Sequence, residues 1–295
     1  MLRDEIVVEP KPPYTITPHL EQFSLRGRPT PCIYDEVSRT CSRIVEVRGA
    51  RIAYKVVVEN EGWNPLIKIR VLAGDPNLVV EVVKHVMNTE YRYPDVAQLI
   101  RVCPGIREVI ERYPGLRPAL NPSMWESLVK AIVNQQVTMR LALSIISRMV
   151  MRFGARLRTS SGETLYDFPS PETVLRAGIT RLREVGLSTR KAKYIIGVAE
   201  AIVKRGYDLE GIAKLPPLKA VEELMQFKGV GPWTAKLAYM AYTGNLNILL
   251  LEDSAVSKGL KLAGCTEELL NEVANHAGLV SYLTAFLYES RKNSE

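Results

Sequence analysis

Two hydrophobic periods divide the chain. From Arg43 to Glu59 apolar and polar residues alternate on either side of Arg48-Gly49. That is the period of a strand with one buried face, so the stretch predicts a β-hairpin. Residues 66–74 continue the pattern as a further strand. After Asp75 the period lengthens, and Leu78, Val79, Val82, Val83 and Val86 fall on one face of a helix reaching to Asn88. Residues 1–95 therefore read as a small sheet-and-helix domain. Its cations Arg43, Arg48 and Arg51 are expected to be solvated.

From Tyr91 onward the pattern is almost wholly helical. Residues 113–118 read as a linker, and Asn121-Pro122-Ser123 opens a helix in which Trp125, Leu128, Val129, Ile132 and Val133 recur at core spacing. This helix stops near Asn134-Gln135-Gln136-Val137-Thr138, and the next runs from Met139 to Phe153. Ser170 before Pro171, and Ser188 before Arg190, are in the right places to cap helices. Arg190, Lys191 and Lys193 crowd a helix start against its dipole, as a solvated face or a nearby phosphate would permit.

A helix ending at Gln226 is followed by Phe227-Lys228-Gly229-Val230-Gly231, and Pro232 begins another that runs to Tyr242. Glycines allow positive φ and close approach of another backbone. The unpaired N–H groups of the new helix make an anion site, and Lys228 adds charge of the right sign. A plain helical turn would use the same residues. Farther on, the apolar run 248–251 leads to Asp253, which opens a helix through Gly264. Helix capping alone is sufficient reason for an aspartate there.

With 46% hydrophobic and 24% charged residues among 295, the composition is that of an ordinary folded protein. No apolar run is long enough to span a bilayer, and the first residues lack the apolar core of a signal peptide. A net charge of +7 suits a polyanionic partner. The four cysteines, Cys32, Cys41, Cys103 and Cys265, show no C-x-x-C spacing and read as reduced thiols of an intracellular protein.

The order helix, Gly-x-Gly hairpin, helix, then Asp253 twenty-two residues beyond Gly231 resembles the helix-hairpin-helix DNA glycosylases. Pro232-Trp233-Thr234 is similar to the 3-methyladenine DNA glycosylase II (alkylation-repair) branch. So are Pro12-Pro13-Tyr14, the Gln-Gln-Val-Thr element and the stretch from Phe168 to Tyr207. The resemblance covers nearly the whole chain, most densely 121–290. It implies an α+β fold, with an antiparallel-sheet domain before a mainly helical core of two subdomains. One subdomain is 120–245, with wedge and hairpin; the other joins 96–119 to 246–295.

The implied activity is monofunctional hydrolysis of the N-glycosidic bond of alkylated bases. The expected partner is double-stranded DNA with a damaged base, met by a monomer in the cytoplasm, on the nucleoid in a prokaryote. Such an enzyme extrudes the nucleotide, and a fixed carboxylate stabilises the cationic sugar that develops; by match this is Asp253. Glu252 stands off the motif. Gln136 matches the residue that wedges into the DNA stack, with Thr138 for the usual serine. Lys228, Gly229, Gly231 and Thr234 match the DNA-backbone contacts. Trp233, Leu237, Ser254 and Leu279 match the base pocket, where an aromatic wall selects a cationic base. The last three replace expected aromatics, which leaves the base range open.

Strand-cleaving relatives carry a lysine where Trp233 stands, and Lys236 is three residues off register, so no lyase is expected. The resemblance further implies a monovalent cation, Na+ or K+, on the carbonyls of Met225, Phe227 and Gly229. It implies no iron–sulfur cluster, since only Cys265 lies in the region that holds one. A glycosylase for oxidised or deaminated purines and a non-catalytic DNA-binding module are the alternatives.

Overall fold

The computed structural model describes residues 5–265 and 270–292. The strands β1 (Ile6–Val8), β2 (Ile33–Asp35), β3 (Thr40–Val47), β4 (Ala50–Glu59) and β5 (Leu66–Ala73) form one sheet in the order β1-β5-β4-β3-β2. Every pairing in it is antiparallel. The alternating stretch is the β3–β4 hairpin, with Arg48 and Gly49 at its turn in positive φ. A short helix, α1 (Thr17–Gln22), precedes β2. The valine-faced helix is α2 (Pro76–Val86), capped by Asp75. Val79, Val82, Val83 and Val86 pack into one cluster with Ile52, Tyr54, Val56, Ile67 and Ile69.

The remainder is helical: α3 (Val96–Val102), α4 (Arg107–Arg112), α5 (Met124–Asn134), α6 (Met139–Phe153), α7 (Pro171–Glu184), α8 (Thr189–Arg205), α9 (Pro217–Met225), α10 (Pro232–Thr243), α11 (Ser254–Leu262) and α12 (Ala277–Lys292). Ser123, Thr138, Ser170, Ser188 and Asp253 each cap the helix that follows them. One continuous apolar cluster runs through this part, from Leu99 to Leu287. The segment before α5 packs on the segment after α10, through Gly105 N–H to the Ala263 carbonyl at 2.8 Å and Arg291 to Glu108 at 3.0 Å. Among the described residues no helix is long and apolar enough to cross a membrane.

Three features depart from expectation. A second hairpin, β6 (Arg156–Arg158) with β7 (Thr164–Tyr166), interrupts the helices. Its strands are too short to show a period, and it covers the back of the main sheet with Leu165 against Ile44 and Ala53. The cysteines are paired, Cys32 with Cys41 and Cys103 with Cys265, rather than reduced. Folding brings their Cα atoms to 5.9 Å and 4.4 Å, within disulfide reach. Sequence spacing hid the second pair, whose members are 162 residues apart.

Third, Arg43 is not solvated. It is 3% exposed and meets Glu126 of α5, itself 1% exposed, at 2.9 Å. Lys130 approaches the same carboxylate at 2.8 Å. Burial pushes the Glu126 carboxyl up, but the two cations outweigh it and hold it below the usual carboxylate range. Arg48 and Arg51 do lie at the surface, paired with Glu81 and Glu46.

Removing one member of a buried pair strands the other. Arg43→Ala is therefore expected to cost about 3–5 kcal/mol in urea unfolding, and Arg43→Met with Glu126→Met markedly less. Asp167 beside this cluster gives a pH test. Burial lifts its carboxyl to about 6 against the pull of Arg43. A carboxyl raised in the folded state costs stability as pH rises from its unfolded value near 4 through about 6, and costs nothing below. Asp167→Asn should match the parent at pH 4 and exceed it by roughly 1–3 kcal/mol at pH 7.

Candidate active site

The hairpin lies between α9 and α10. Phe227 accepts the Val230 N–H at 3.0 Å, closing the turn, and Gly229 takes φ +85°. A Cβ on Gly229 would sit 2.2 Å from the ring of Tyr194 on α8, so glycine is required there twice over. Gly231 is different. Its φ is −93°, open to any residue, and nothing lies within 4 Å of where a Cβ would be. Its bare backbone leaves open the space before α10, whose N-terminus no side chain caps. Lys228 is exposed at the tip, with no ion pair among the described residues.

The end of α5 and the start of α8 meet at this turn. Gln135, just past α5, donates its amide to the Gly229 carbonyl at 2.8 Å and to the Thr234 hydroxyl at 2.9 Å. Thr234 is buried, so its side chain faces Gln135 and not solvent. Lys191 at the start of α8 donates to the Val133 carbonyl at 2.7 Å, and partial burial holds its ammonium below its ordinary value. Gln136 follows, exposed and at φ +53°. A glutamine in the left-handed region is uncommon, and here it turns the side chain away from the packed helices. Met139 and Leu141, exposed at the start of α6, flank it. The roles of Gln135 and Lys191 escaped the sequence reading; the doubled glutamine was the one trace of the first.

Asp253 caps α11. Its Oδ1 accepts the N–H groups of Ala255 at 2.8 Å and Val256 at 3.2 Å. Its Oδ2 accepts the indole N–H of Trp233 at 2.9 Å. Thus the first turn of α10 is joined directly to the carboxylate. Leu237 lies one turn beyond Trp233 on the same face, half-buried, and Ser254 is exposed beside Asp253. Leu279 does not join them at the surface: it is fully buried in the core on α12.

Lys236 lies 2.7 Å from Glu252 and 3.4 Å from the Leu249 carbonyl. Partial burial pushes the Glu252 carboxyl up, but the Lys236 hydrogen bond and charge hold it below the usual range. Among the described residues no group of His, Cys, Asp and Glu is arranged to hold a metal ion. The hairpin carbonyls are a different case. Those of Phe227 and Gly229 each accept one N–H and keep a second lone pair.

Comparison with known proteins identifies the family and the fold. The signature of the HhH-GPD superfamily of base excision DNA repair proteins matches residues 129–277, from within α5 to the start of α12. DNA-3-methyladenine glycosylase 2 of Escherichia coli (strain K12) is 30% identical over 135 residues, 44% of each chain. The DNA-3-methyladenine glycosylase of Bacillus subtilis (strain 168) is 27% identical over 143 residues, 48% of this chain and 47% of that one. The chain thus spans about half the length of these curated relatives. A 3-methyladenine DNA-glycosylase structure from Archaeoglobus fulgidus superposes with TM-score 0.81 at 25% identity, covering 97% of this chain and 98% of that one. The fold is also that of a Clostridium acetobutylicum 8-oxoguanine glycosylase/lyase solved with DNA, at TM-score 0.75, 16% identity and full coverage of both chains. The chain belongs to the HhH-GPD superfamily of base excision DNA repair proteins, and within it resembles the alkylation-repair branch.

Proposed function

We propose that the protein is a monofunctional DNA glycosylase that flips an alkylated base out of double-stranded DNA and hydrolyses its N-glycosidic bond. One observation carries the reading: Asp253, fixed by three hydrogen bonds, is tied through Trp233 to the helix that starts at the hairpin. A module that only grips DNA has no use for that coupling.

In this reading the open start of α10, Gly231 and Lys228 hold the DNA backbone at a phosphate. The carbonyls of Met225, Phe227 and Gly229 would hold a monovalent cation, whose charge would add to the attraction for a phosphate. Gln136 fills the gap left by the extruded nucleotide. Asp253 faces the sugar and stabilises its developing positive charge while water attacks. An alkylated purine is already a cationic leaving group, so no strong general acid is required. Trp233 stands at the position that strand-cleaving relatives fill with lysine, and the Lys236 ammonium is engaged by Glu252, which supports hydrolysis without an amine nucleophile. Trp233 and Leu237 wall the base, with Ser254 at the rim. The protein acts as a monomer, in three parts: 1–95, 120–245, and 96–119 with 246–295.

The test is incubation with duplexes carrying 7-methylguanine, 3-methyladenine, hypoxanthine or 8-oxoguanine, followed by assay for free base. Release of the methylated bases with no strand cleavage is expected. Release of only the last two would favour the oxidised or deaminated class, for which the sparsely aromatic wall of Leu237 and Ser254 is the argument. No release from any duplex would leave a binding module. Asp253→Asn should keep the fold and lesion binding, because Asn caps a helix about as well as Asp, with a small fall in melting temperature because its amide NH2 would face the Trp233 indole N–H. It should lower base release by orders of magnitude, each ~1.4 kcal/mol of lost charge stabilisation being tenfold in rate.

The two hairpin glycines make a separate prediction. Gly229→Ala should destabilise the fold, from both its φ and the Tyr194 ring. Gly231→Ala should leave the melting temperature unchanged and weaken binding to all duplexes alike, since phosphate contacts position without specifying. Unchanged DNA affinity in Gly231→Ala would mean that no backbone approaches there.

A further inference from the structure

We propose that Trp233 is a positioning residue for the Asp253 carboxylate as well as a wall for the base, an inference that rests on the glycosylase reading above. A capping aspartate is normally held by one oxygen. Here Oδ1 takes the two N–H groups at the start of α11. With that alone the carboxylate could still rock about its last side-chain torsion, which is broad for aspartate. The second oxygen is what the indole holds, at 2.9 Å. Tryptophan has one donor and no acceptor, so this bond has a single sense and cannot be reversed by a change of tautomer. With both oxygens held, the plane of the carboxylate is fixed.

The ring that does this grows from the second residue of α10, and α10 begins at Gly231. Its partner, Asp253, is half-buried at the start of α11. A phosphate bound at the hairpin and the carboxylate facing the sugar are thus separated by less than one helical turn and one aromatic ring. Gripping the backbone sets the carboxylate against the sugar. Small displacements of a group that stabilises a transition state are costly in rate, and fixed groups lose nothing to reorganisation. A ring serving solely as a wall would need no donor aimed at Asp253, and phenylalanine would serve as well.

That contrast is the experiment. Trp233→Phe keeps the aromatic face and removes the N–H. Single-turnover base release from a 7-methylguanine duplex should fall roughly tenfold to a hundredfold, the range for losing a hydrogen bond to a charged group. Binding to a duplex with no lesion should not move, and the melting temperature should fall by no more than the loss of one hydrogen bond to a charged group accounts for. The loss should also depend on Asp253: in an Asp253→Asn background, Trp233→Phe should change the residual rate by no more than about twofold. A binding arm needs no turnover. Trp233→Phe should weaken binding to DNA carrying a cationic pyrrolidine in place of the sugar and leave binding to the neutral tetrahydrofuran analogue intact.

Base release by Trp233→Phe within about twofold of the parent would overturn the inference while leaving the glycosylase reading standing. So would an equal loss in both Asp253 backgrounds. Should the parent protein release no base from any duplex, it is the glycosylase reading that fails, and this inference with it.

Discussion

A buried ion cluster at the start of α5 joins the sheet to the helix that leads into the candidate site. Arg43 enters from the sheet, Glu126 lies in the first turn of the helix, and Lys130 follows one turn on. An isolated charge in such a place costs several kcal/mol, so these groups are stable only in one mutual arrangement. The sheet is thereby fixed against α5. From Glu126 to Asn134 the helix spans on the order of 12 Å. Immediately beyond, Gln135 grips the hairpin at Gly229 and Thr234, and Lys191 holds the last turn by the Val133 carbonyl. The sheet thus fixes the helix that leads into Gln136.

Local chemistry was legible in the sequence; long-range pairing was not. Helix starts could be read at Ser123, Thr138, Ser170, Ser188 and Asp253 because a cap and its helix are adjacent in the chain. The β3–β4 hairpin could be read because alternation has a strand's period. By that alternation Arg43 falls with Cys41 and Val45 on the face that packs with α2, opposite Tyr54, and only its charge suggested solvent. Its charge is met there by Glu126 of α5, and nothing within β3 announces α5. The β6–β7 hairpin, which covers another part of the sheet, and the Cys103–Cys265 bridge were hidden for the same reason. At the site, Asp253 was legible as a cap by position alone. The hydrogen bond to it from Trp233, twenty residues earlier, was beyond any local rule. Of the pocket residues, Leu279 shows the limit of matching by position, since its side chain is in the core.

The surroundings of Asp253 also bear on how such a carboxylate can act. Three hydrogen bonds draw electron density from its two oxygens, which makes a poorer nucleophile and a better fixed charge. The arrangement suits electrostatic stabilisation of a cationic sugar better than covalent capture of it. A nearby positive charge would oppose this, and Lys236 is one turn from Trp233 on the same helix. Glu252 lies 2.7 Å from that ammonium and is held ionised by it. The pair cancels locally, so the field at Asp253 is left to the carboxylate. Glu252, set aside in the sequence as off register, thus has a part in the same electrostatics. It neutralises an amine on α10 that would otherwise weaken the negative charge on which the proposed chemistry depends.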